Sequence, residues 1–420
     1  MTLAGNKWTF GGAHAAQWAL LAAIGAACVA ARLVKHLLAG DTFFWDYWVY
    51  QGAIAALRAG ADPYAPGAMQ RFGVEEGYNF TYPPIALDIL KPLAALNPTA
   101  LMWAYAILFV ALALWLLWLL TRTIGSAFSP FERACALVAG IAAFTMAGTI
   151  AISSANLGVI LNAIALTGLI YAIRSRSYLP FFLAVVLCSS IKPFYLQFLI
   201  VPLLVNREGW AYILKSGAAA VAAVAVYLAY HYFSEARFAS WTMSITDQSI
   251  VQGVLGENVF GFARHLGAGS IEALAIHGLF CLAMLAMAMG FKDSDDRVRL
   301  SVALIAASFL NPRMMMYDVQ IAAVPVFYLI CSLPLIQNRM RPANGALLAI
   351  GLVFGLGLLS LRGHELVARP LAFPLTALAA VALAYFGLAR PDRQRKIEAR
   401  ASASKDGALR AVPASHPMDR

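Results

Sequence analysis

The chain has 420 residues, of which 61% are hydrophobic and 12% charged, and its mean hydropathy is +0.72. Long apolar stretches recur from residue 15 to residue 389, so the composition excludes an ordinary soluble protein and indicates an integral membrane protein. The formal net charge of +10 lies largely in short loops and in the C-terminal tail. We therefore interpret it as membrane topology and attraction to lipid surfaces, and not as nucleic-acid binding.

The apolar runs predict the membrane spans. A hydrocarbon core about 30 Å thick needs roughly 20 mainly apolar residues per helix. On this basis we predict an all-α polytopic membrane protein with about twelve transmembrane helices, at residues 13–34, 100–121, 134–151, 157–173, 178–190, 194–205, 210–233, 271–291, 300–311, 317–336, 343–360 and 371–389. Three of these runs are short for a full crossing and are expected to be tilted, broken or re-entrant, namely 178–190, 194–205 and 300–311.

The distribution of lysine and arginine predicts the orientation. With the N-terminus inside, the inner loops and the tail carry 20 of the 31 basic residues. The outer side keeps 11, although its two longest loops cover more of the chain, and the positive-inside rule favours this arrangement. Both termini are therefore expected in the cytoplasm, and the short inner loops fit a multi-pass protein of a bacterial inner membrane.

Two long outer segments, residues 35–99 and 234–270, are predicted to form the functional side of a membrane domain that covers residues 1–389. In the first segment, "FWDYWVYQGAIAALRAG" has helical apolar spacing and predicts a helix along the membrane interface. The stretch "YPPIALDILKPLAALNP" begins with a proline pair suited to a helix start and predicts a second, half-buried helix. The charged stretch over 390–420 predicts a disordered, basic cytoplasmic tail.

Metal and disulfide chemistry are not expected. The five cysteines lie inside apolar runs without paired spacing, so they predict neither a disulfide framework nor a zinc site. The three outer-side histidines show no metal-ligand spacing either; they are His231, His265 and His364.

Charged residues at membrane depth are costly, so each one is a functional candidate. The outer-facing set is Asp46, Lys192, Arg313, Asp318 and Arg264, with the polar companions Asn156, Gln248 and Asn258. A carboxylate at the interface can take a proton from a hydroxyl, while lysine and arginine can hold the phosphate of a leaving group. No Gly-rich loop follows a strand to hold a nucleotide, so the pattern favours a lipid phosphate donor that arrives through the bilayer.

Five stretches, taken in order, carry a resemblance: "DYWVYQGAIAALRAGADPYAP", "NFTYPPIALDILKPLAAL", "SSANLGVILNAIAL", "SSIKPFYLQFLIVPLL" and "LNPRMMMYD". Together they span residues 46 to 318. They resemble the membrane-embedded GT-C glycosyltransferases, and most closely glycosyltransferase family 87, the polyprenyl-phosphate-mannose-dependent α-1,2-mannosyltransferase-like group.

The resemblance implies a GT-C-like bundle with interfacial helices in the first outer loop. It implies a hexosyltransferase that moves a hexosyl residue, mannosyl in that group, from a polyprenyl phosphate sugar to a hydroxyl of a glycan or glycolipid acceptor on the periplasmic or extracellular face. By position Asp46 is the expected catalytic base, with Asp41 as the fallback. The implied mechanism is a single inverting displacement without a metal or other cofactor. Donor-phosphate binding is expected of Lys192, Arg313 and Arg264, and substrate binding of Tyr50, Tyr82, Asn156, Gln248 and Asp318.

The candidate residues also have structural interpretations. Asp46 could be a charge that stabilises a helix N-terminus, and Asn156 could cap the helix that begins at residue 157. Lys192 could extend its ammonium group to the membrane interface, and Arg313 could form an ion pair with Asp318.

Two other functions compete with the enzyme. A transporter or flippase for a lipid-linked or small polar substrate should place ionisable groups near the bilayer midplane in both halves of the chain. The interiors of the predicted spans are nearly free of charge, which favours the enzyme. A non-catalytic protein that keeps the fold is the third possibility, because a fold does not establish a function.

Overall fold

The structure, a computed structural model, describes residues 12–39, 44–75, 78–126, 128–206, 209–246, 256, 258–315, 318, 320–359 and 368–389. All regular secondary structure in these ranges is helical. The α-helices are α1 (Gly12–Ala39), α2 (Trp45–Arg58), α3 (Pro84–Leu90), α4 (Pro98–Ile124), α5 (Pro130–Ser154), α6 (Leu157–Ser175), α7 (Leu179–Ile191), α8 (Val201–Val205), α9 (Ile213–Phe233), α10 (Glu235–Thr246), α11 (Val259–His265), α12 (Ser270–Gly290), α13 (Asp296–Phe309), α14 (Gln320–Cys331), α15 (Pro334–Arg339), α16 (Pro342–Leu359) and α17 (Ala368–Ala384). Short 3-10 helices lie at Met69–Phe72, Lys91–Ala95, Pro193–Ile200 and Gly209–Tyr212, and a π-helix follows α17 at Tyr385–Ala389.

Each predicted span coincides with helical structure. In the described ranges, four helices are long and apolar enough to cross a membrane: Pro98–Ile124, Leu157–Ser175, Gly209–Phe233 and Ser270–Gly290. The run at 178–190 is α7, whose 13 residues reach only about 20 Å, less than the hydrocarbon core. The run at 194–205 is divided between the 3-10 helix Pro193–Ile200 and α8. The total of twelve crossings therefore stays a prediction, while the all-helical class is confirmed.

Helices α13 and α14 lie at the centre of the bundle. Every residue of α14 is buried, and so is every residue of α13 from Val298 to Phe309. Helices α4, α5, α16 and α17 pack against α14. By contrast, α4, α9 and α12 expose large apolar side chains, among them Trp103, Leu228 and Leu279. A helix that is buried all round must be enclosed by protein, whereas exposed apolar faces fit contact with lipid.

The first outer segment folds as the sequence predicts, with α2 and then α3. The buried face of α2 includes Tyr50 and Ala53, which belong to a separate apolar cluster, and Tyr47, which packs into another. Pro84 stands in the first turn of α3, where a missing backbone N–H costs nothing. These helices form a layer that covers the ends of α5, α6 and α7.

The second outer segment contains structure that the sequence analysis did not predict. Helix α10 packs against α3 and α9, and the indole of Trp241 donates to the carbonyl of Thr81 at 3.0 Å. Helix α11 packs against α12. The two outer segments are therefore in direct contact. The predicted tail at 390–420 lies outside the described residues.

Candidate active site

Asp46 lies in the first turn of α2, where that helix meets the end of α5. Phe44, just before α2, has a left-handed backbone with φ 59, and its N–H donates to the carbonyl of Ser153 at 2.8 Å. Ala155, after α5, is also left-handed with φ 55, and its carbonyl accepts from the hydroxyl of Tyr105 at 2.6 Å. Such backbones cost non-glycine residues about 1–3 kcal/mol each. Tertiary contacts therefore hold both turns in place.

Four polar side chains from distant parts of the chain meet at this point. The amide of Asn156 donates to Asp46 Oδ2 at 2.6 Å, and Lys192 Nζ donates to Asn156 Oδ1 at 2.7 Å. Lys192 Nζ also lies 3.5 Å from Asp318 Oδ1. We call Asp46, Asn156, Lys192 and Asp318 the Asp46 cluster. It has two carboxylates, one ammonium group and one amide that connects Asp46 with Lys192.

Asn156 uses both ends of its amide. Its Oδ1 accepts from Gly158 N at 2.7 Å, which confirms the predicted cap of α6. The same oxygen accepts from Lys192, and its Nδ2 donates to Asp46 and, at 3.3 Å, to the hydroxyl of Tyr82. All four bonds agree with one orientation of the amide. Asn156 is thus the cap of α6, and the same side chain also joins the cluster.

Burial raises the pKa of the Asp46 carboxyl from 3.8 to about 6. The hydrogen bond from Asn156 and the positive charge of Lys192 act in the opposite direction but are smaller. Burial disfavours the charged form because protein replaces the water that would stabilise it. Asp46 as a whole residue is half-buried. A pKa near neutrality suits a group that must take up a proton.

Lys192 follows α7 in an extended backbone conformation, with Pro193 beginning the next 3-10 helix. Its side chain is buried, with the ammonium group 5.4 Å from the ring centre of Tyr82 and 5.3 Å from that of Phe194. The alternative in which Lys192 extends to the membrane interface is therefore wrong. A buried lysine needs anionic and polar partners, and Asn156 and Asp318 provide them.

Tyr50 and Tyr82 support the cluster from α2 and from the chain before α3. Their hydroxyl groups are 2.9 Å apart, and Tyr50 also accepts from the N–H of Leu157 at 3.1 Å. The carbonyl of Tyr82 accepts from the hydroxyl of Tyr64 at 2.8 Å. Both tyrosines are buried. Their contacts show that they position Asn156 and the start of α6.

Gly158 is a residue of the site that the sequence analysis missed. A Cβ atom at this position would lie 2.8 Å from Asn156 Oδ1, 3.1 Å from Lys192 Nζ and 3.4 Å from Asp318 Oδ1. The bare backbone in the first turn of α6 therefore leaves room for the cluster. The signal is present in "SSANLG", where a glycine stands two residues after the helix cap.

The loop between α13 and α14 carries Arg313 and Asp318. Asp318 Oδ2 accepts from the N–H of Met315 at 3.1 Å, and its ion pair is with Lys192. Gly256, in the second outer segment, packs against this loop so closely that a Cβ would lie 3.0 Å from Cα of Arg313. Asn258 reinforces this contact by donating to the carbonyl of Asn311 at 2.6 Å.

The remaining predicted residues do not join the cluster. The guanidinium of Arg264 donates to the carbonyl of Ala268 at 2.8 Å, at the end of its own helix α11. Its contacts among the described residues do not reach Asp46 or Lys192. Gln248 and Asp41 lie outside the described residues. Within the described ranges, no group of three or more His, Cys, Asp or Glu side chains is placed to hold a metal ion.

The described part of the chain is a helical bundle with four helices long and apolar enough to cross a membrane, and a carboxylate and a buried lysine lie close together at one end of it. The sequence profile of glycosyltransferase family 87 matches residues 80–317. This is more than half of the chain, and the protein belongs to that family of membrane glycosyltransferases. No curated protein matches the chain.

The family match covers part of the Asp46 cluster. Asn156 and Lys192 lie inside the matched region, whereas Asp46 precedes it and Asp318 immediately follows it. Both carboxylates contact residues inside the match, through the 2.6 Å hydrogen bond to Asn156 and the 3.5 Å ion pair with Lys192.

Proposed function

We propose that the protein transfers a hexosyl residue, mannosyl by its resemblance, from a polyprenyl phosphate sugar to an acceptor hydroxyl, with Asp46 as the general base. The observation that carries the proposal is the chain of contacts from Asp46 through Asn156 to Lys192. These contacts join a carboxylate and an ammonium group, and the proposed reaction requires a proton acceptor and a cation.

In the proposed reaction the acceptor oxygen attacks the anomeric carbon of the donor sugar. A new carbon–oxygen bond forms there as the bond to the phosphate oxygen breaks, so the configuration inverts. The hydroxyl proton moves to the carboxylate of Asp46, and polyprenyl phosphate departs with the electron pair. The raised pKa of Asp46, about 6, makes it a stronger base than an ordinary aspartate while leaving it largely ionised near pH 7.

The polar partners of Asp46 support this role. Asn156 fixes the orientation of the carboxylate through its hydrogen bond to Oδ2. The ammonium group of Lys192, joined to Asp46 through Asn156, can stabilise the anion that develops on the leaving phosphate. Arg313, in the loop that holds Asp318, is the second candidate for this anion. The contacts of Arg264 give its proposed role no support.

The location follows from the sequence. The positive-inside rule puts the first outer segment, and Asp46 with it, on the periplasmic or extracellular side. We propose a multi-pass protein of about twelve spans in a bacterial inner membrane, with both termini in the cytoplasm. The donor reaches the cluster from the bilayer, and a glycan or glycolipid supplies the acceptor hydroxyl.

The decisive experiment is transfer from radiolabelled polyprenyl phosphate mannose to a membrane glycolipid extract by the purified protein. Asp46→Asn keeps the shape of the side chain but removes the base, and we expect transfer to fall by about 10²–10⁴-fold. Asp62→Asn is the matched control, because Asp62 accepts from the N–H of Tyr64 at 3.0 Å and does not join the cluster. Undiminished transfer by Asp46→Asn would exclude Asp46 as the base.

A folded wild-type protein that transfers sugar from no polyprenyl phosphate donor would favour the transporter instead. Folding is checked by the thermal transition of the purified protein, so that loss of activity and loss of structure are separated.

A further inference from the structure

A cavity lies at the opposite end of the bundle from the Asp46 cluster. Its volume is about 400 Å³, within the range of about 300–1,000 Å³ typical of small-molecule sites. Helix α6 begins at the cluster and ends at Ser175, beside the cavity residue Arg176. The 19 residues of α6 correspond to about 28 Å. Helices α4 and α13 also run between the two ends, because Thr123 and Leu300 line the cavity.

Three arginines line this cavity, together with Asp296 and the polar side chains of Tyr178, Asn206 and Tyr212. Arg299 is buried; one of its terminal nitrogens contacts Asp296 and the other donates to the carbonyl of Lys292 at 3.4 Å. The third guanidinium nitrogen, Nε, is buried without a hydrogen-bond partner in the described part of the chain. A buried N–H of a charged group is costly when it is unpaired, and the guanidinium of Arg299 keeps one donor beyond those that Asp296 and Lys292 satisfy.

The other two arginines, Arg297 and Arg176, line the same cavity. Arg297 forms an ion pair with Asp295 at 3.0 Å and lines the cavity from the start of α13. Arg176 ends α6 in a left-handed conformation with φ 58, where glycine would be unstrained. Thr123 also lines the cavity, and its hydroxyl is buried without a partner in the described ranges. Guanidinium groups that line one cavity fit the oxygens of a phosphate.

We propose that this cavity binds the phosphate group of a ligand, at the face of the bundle opposite the Asp46 cluster. Arg176 and Arg299 bind the phosphate oxygens, and Ile173, Val205 and Leu300 contact the apolar part of the ligand. The phosphate belongs either to an anionic lipid headgroup or to a free phosphorylated compound. This site is separate from the proposed transfer reaction and does not depend on it.

The test measures binding to the purified full-length protein by native mass spectrometry. One arm titrates dioleoyl phosphatidylglycerol against dioleoyl phosphatidylcholine, and the other titrates inorganic phosphate. We expect Arg176→Gln to weaken binding about tenfold or more, because a charge-assisted contact is lost. Arg174→Gln is the control, since Arg174 is an exposed arginine of the same helix end that does not line the cavity. Arg299→Gln should weaken binding at least as much.

Each outcome decides the proposal. Preferential binding of phosphatidylglycerol that is lost in Arg176→Gln identifies a lipid headgroup, and equivalent behaviour of inorganic phosphate identifies a free phosphorylated ligand. Because Arg176 is exposed, its variant tests the site even if Arg299→Gln does not fold. The proposal is overturned if neither probe binds, or if Arg174→Gln weakens binding as much as Arg176→Gln.

Discussion

The amide of Asn156 donates a 2.6 Å hydrogen bond to the carboxylate of Asp46, although the two residues are 110 positions apart in the chain. This bond joins the first helix of the outer segment to the cap of α6. The same amide accepts from Lys192, so Asn156 sets both the orientation and the charge environment of the proposed base. The predictions below follow from this arrangement.

The pH dependence of transfer should follow the ionisation of the Asp46 carboxyl. Its pKa is raised to about 6, and a general base must be deprotonated to act. We expect kcat/KM to rise with pH, with a midpoint near 6, and then to level off. Initial rates of mannosyl transfer between pH 4.5 and 8 measure this. A flat profile over that range would contradict a base with this pKa.

Asn156→Ala should shift the pH profile of kcat/KM. The hydrogen bond from Asn156 lowers the pKa of Asp46, so its removal raises the pKa and shifts the rising part of the profile to higher pH. Asn97→Ala is the control, because Asn97 caps α4 by accepting from Thr99 N at 3.0 Å and does not join the cluster. Each variant should lose about 1 kcal/mol through its missing cap. Only Asn156→Ala should shift the pH midpoint.

The raised pKa of Asp46 also has a consequence for stability. A folded-state pKa of about 6 lies above the ordinary 3.8, so the folded protein binds this proton more tightly than the unfolded chain does. The stabilisation is present below pH 4 and is lost as pH rises through about 6. The melting temperature of the wild type relative to Asp46→Asn should therefore decrease across this interval. A constant difference in melting temperature from pH 4 to pH 6.5 would contradict the shift.

Lys192 and Asp318 form a buried ion pair. Comparing a single variant with a double variant separates the effect of this pair on stability from the role of Lys192 in activity. Lys192→Met leaves Asp318 buried without its cation, which typically costs about 3–5 kcal/mol. Lys192→Met combined with Asp318→Asn removes both charges and should recover much of that loss. If Lys192 stabilises the leaving phosphate, both variants remain poorly active. Full transfer by the double variant would show that Lys192 is only structural.

Gly158→Ala tests the space that the cluster needs. The new methyl group would stand 2.8 Å from Asn156 Oδ1 and 3.1 Å from Lys192 Nζ, so these side chains must separate. We expect lower transfer and a lower melting temperature, although alanine is intrinsically better than glycine in a helix by about 1 kcal/mol. Gly278→Ala is the control, because nothing lies within 4 Å of the corresponding Cβ in α12. Its melting temperature should rise or stay unchanged.

Local patterns were sufficient for many features of the fold. The proline pair before α3 and the apolar spacing of α2 predicted both outer helices, and Asn156 was a predictable cap. Helices α10 and α11 were missed. Helix α10 is short and only moderately apolar, and α11 has just seven residues, so neither stands out as an apolar run.

By itself the sequence determined the helical class, the approximate position of the apolar helices and the choice of Asp46 and Lys192 as candidate site residues. The length of an apolar run and the cost of a charge in a membrane can both be evaluated from neighbouring residues. Only the tertiary structure decided that Lys192 is buried against Asn156 and Asp318, that Gly158 leaves space for them, and that three arginines share a cavity at the far end of α6. These contacts join residues far apart in the chain. They depend on which face of each helix packs inward. In an almost uniformly apolar helix, the spacing of apolar residues does not indicate which face that is.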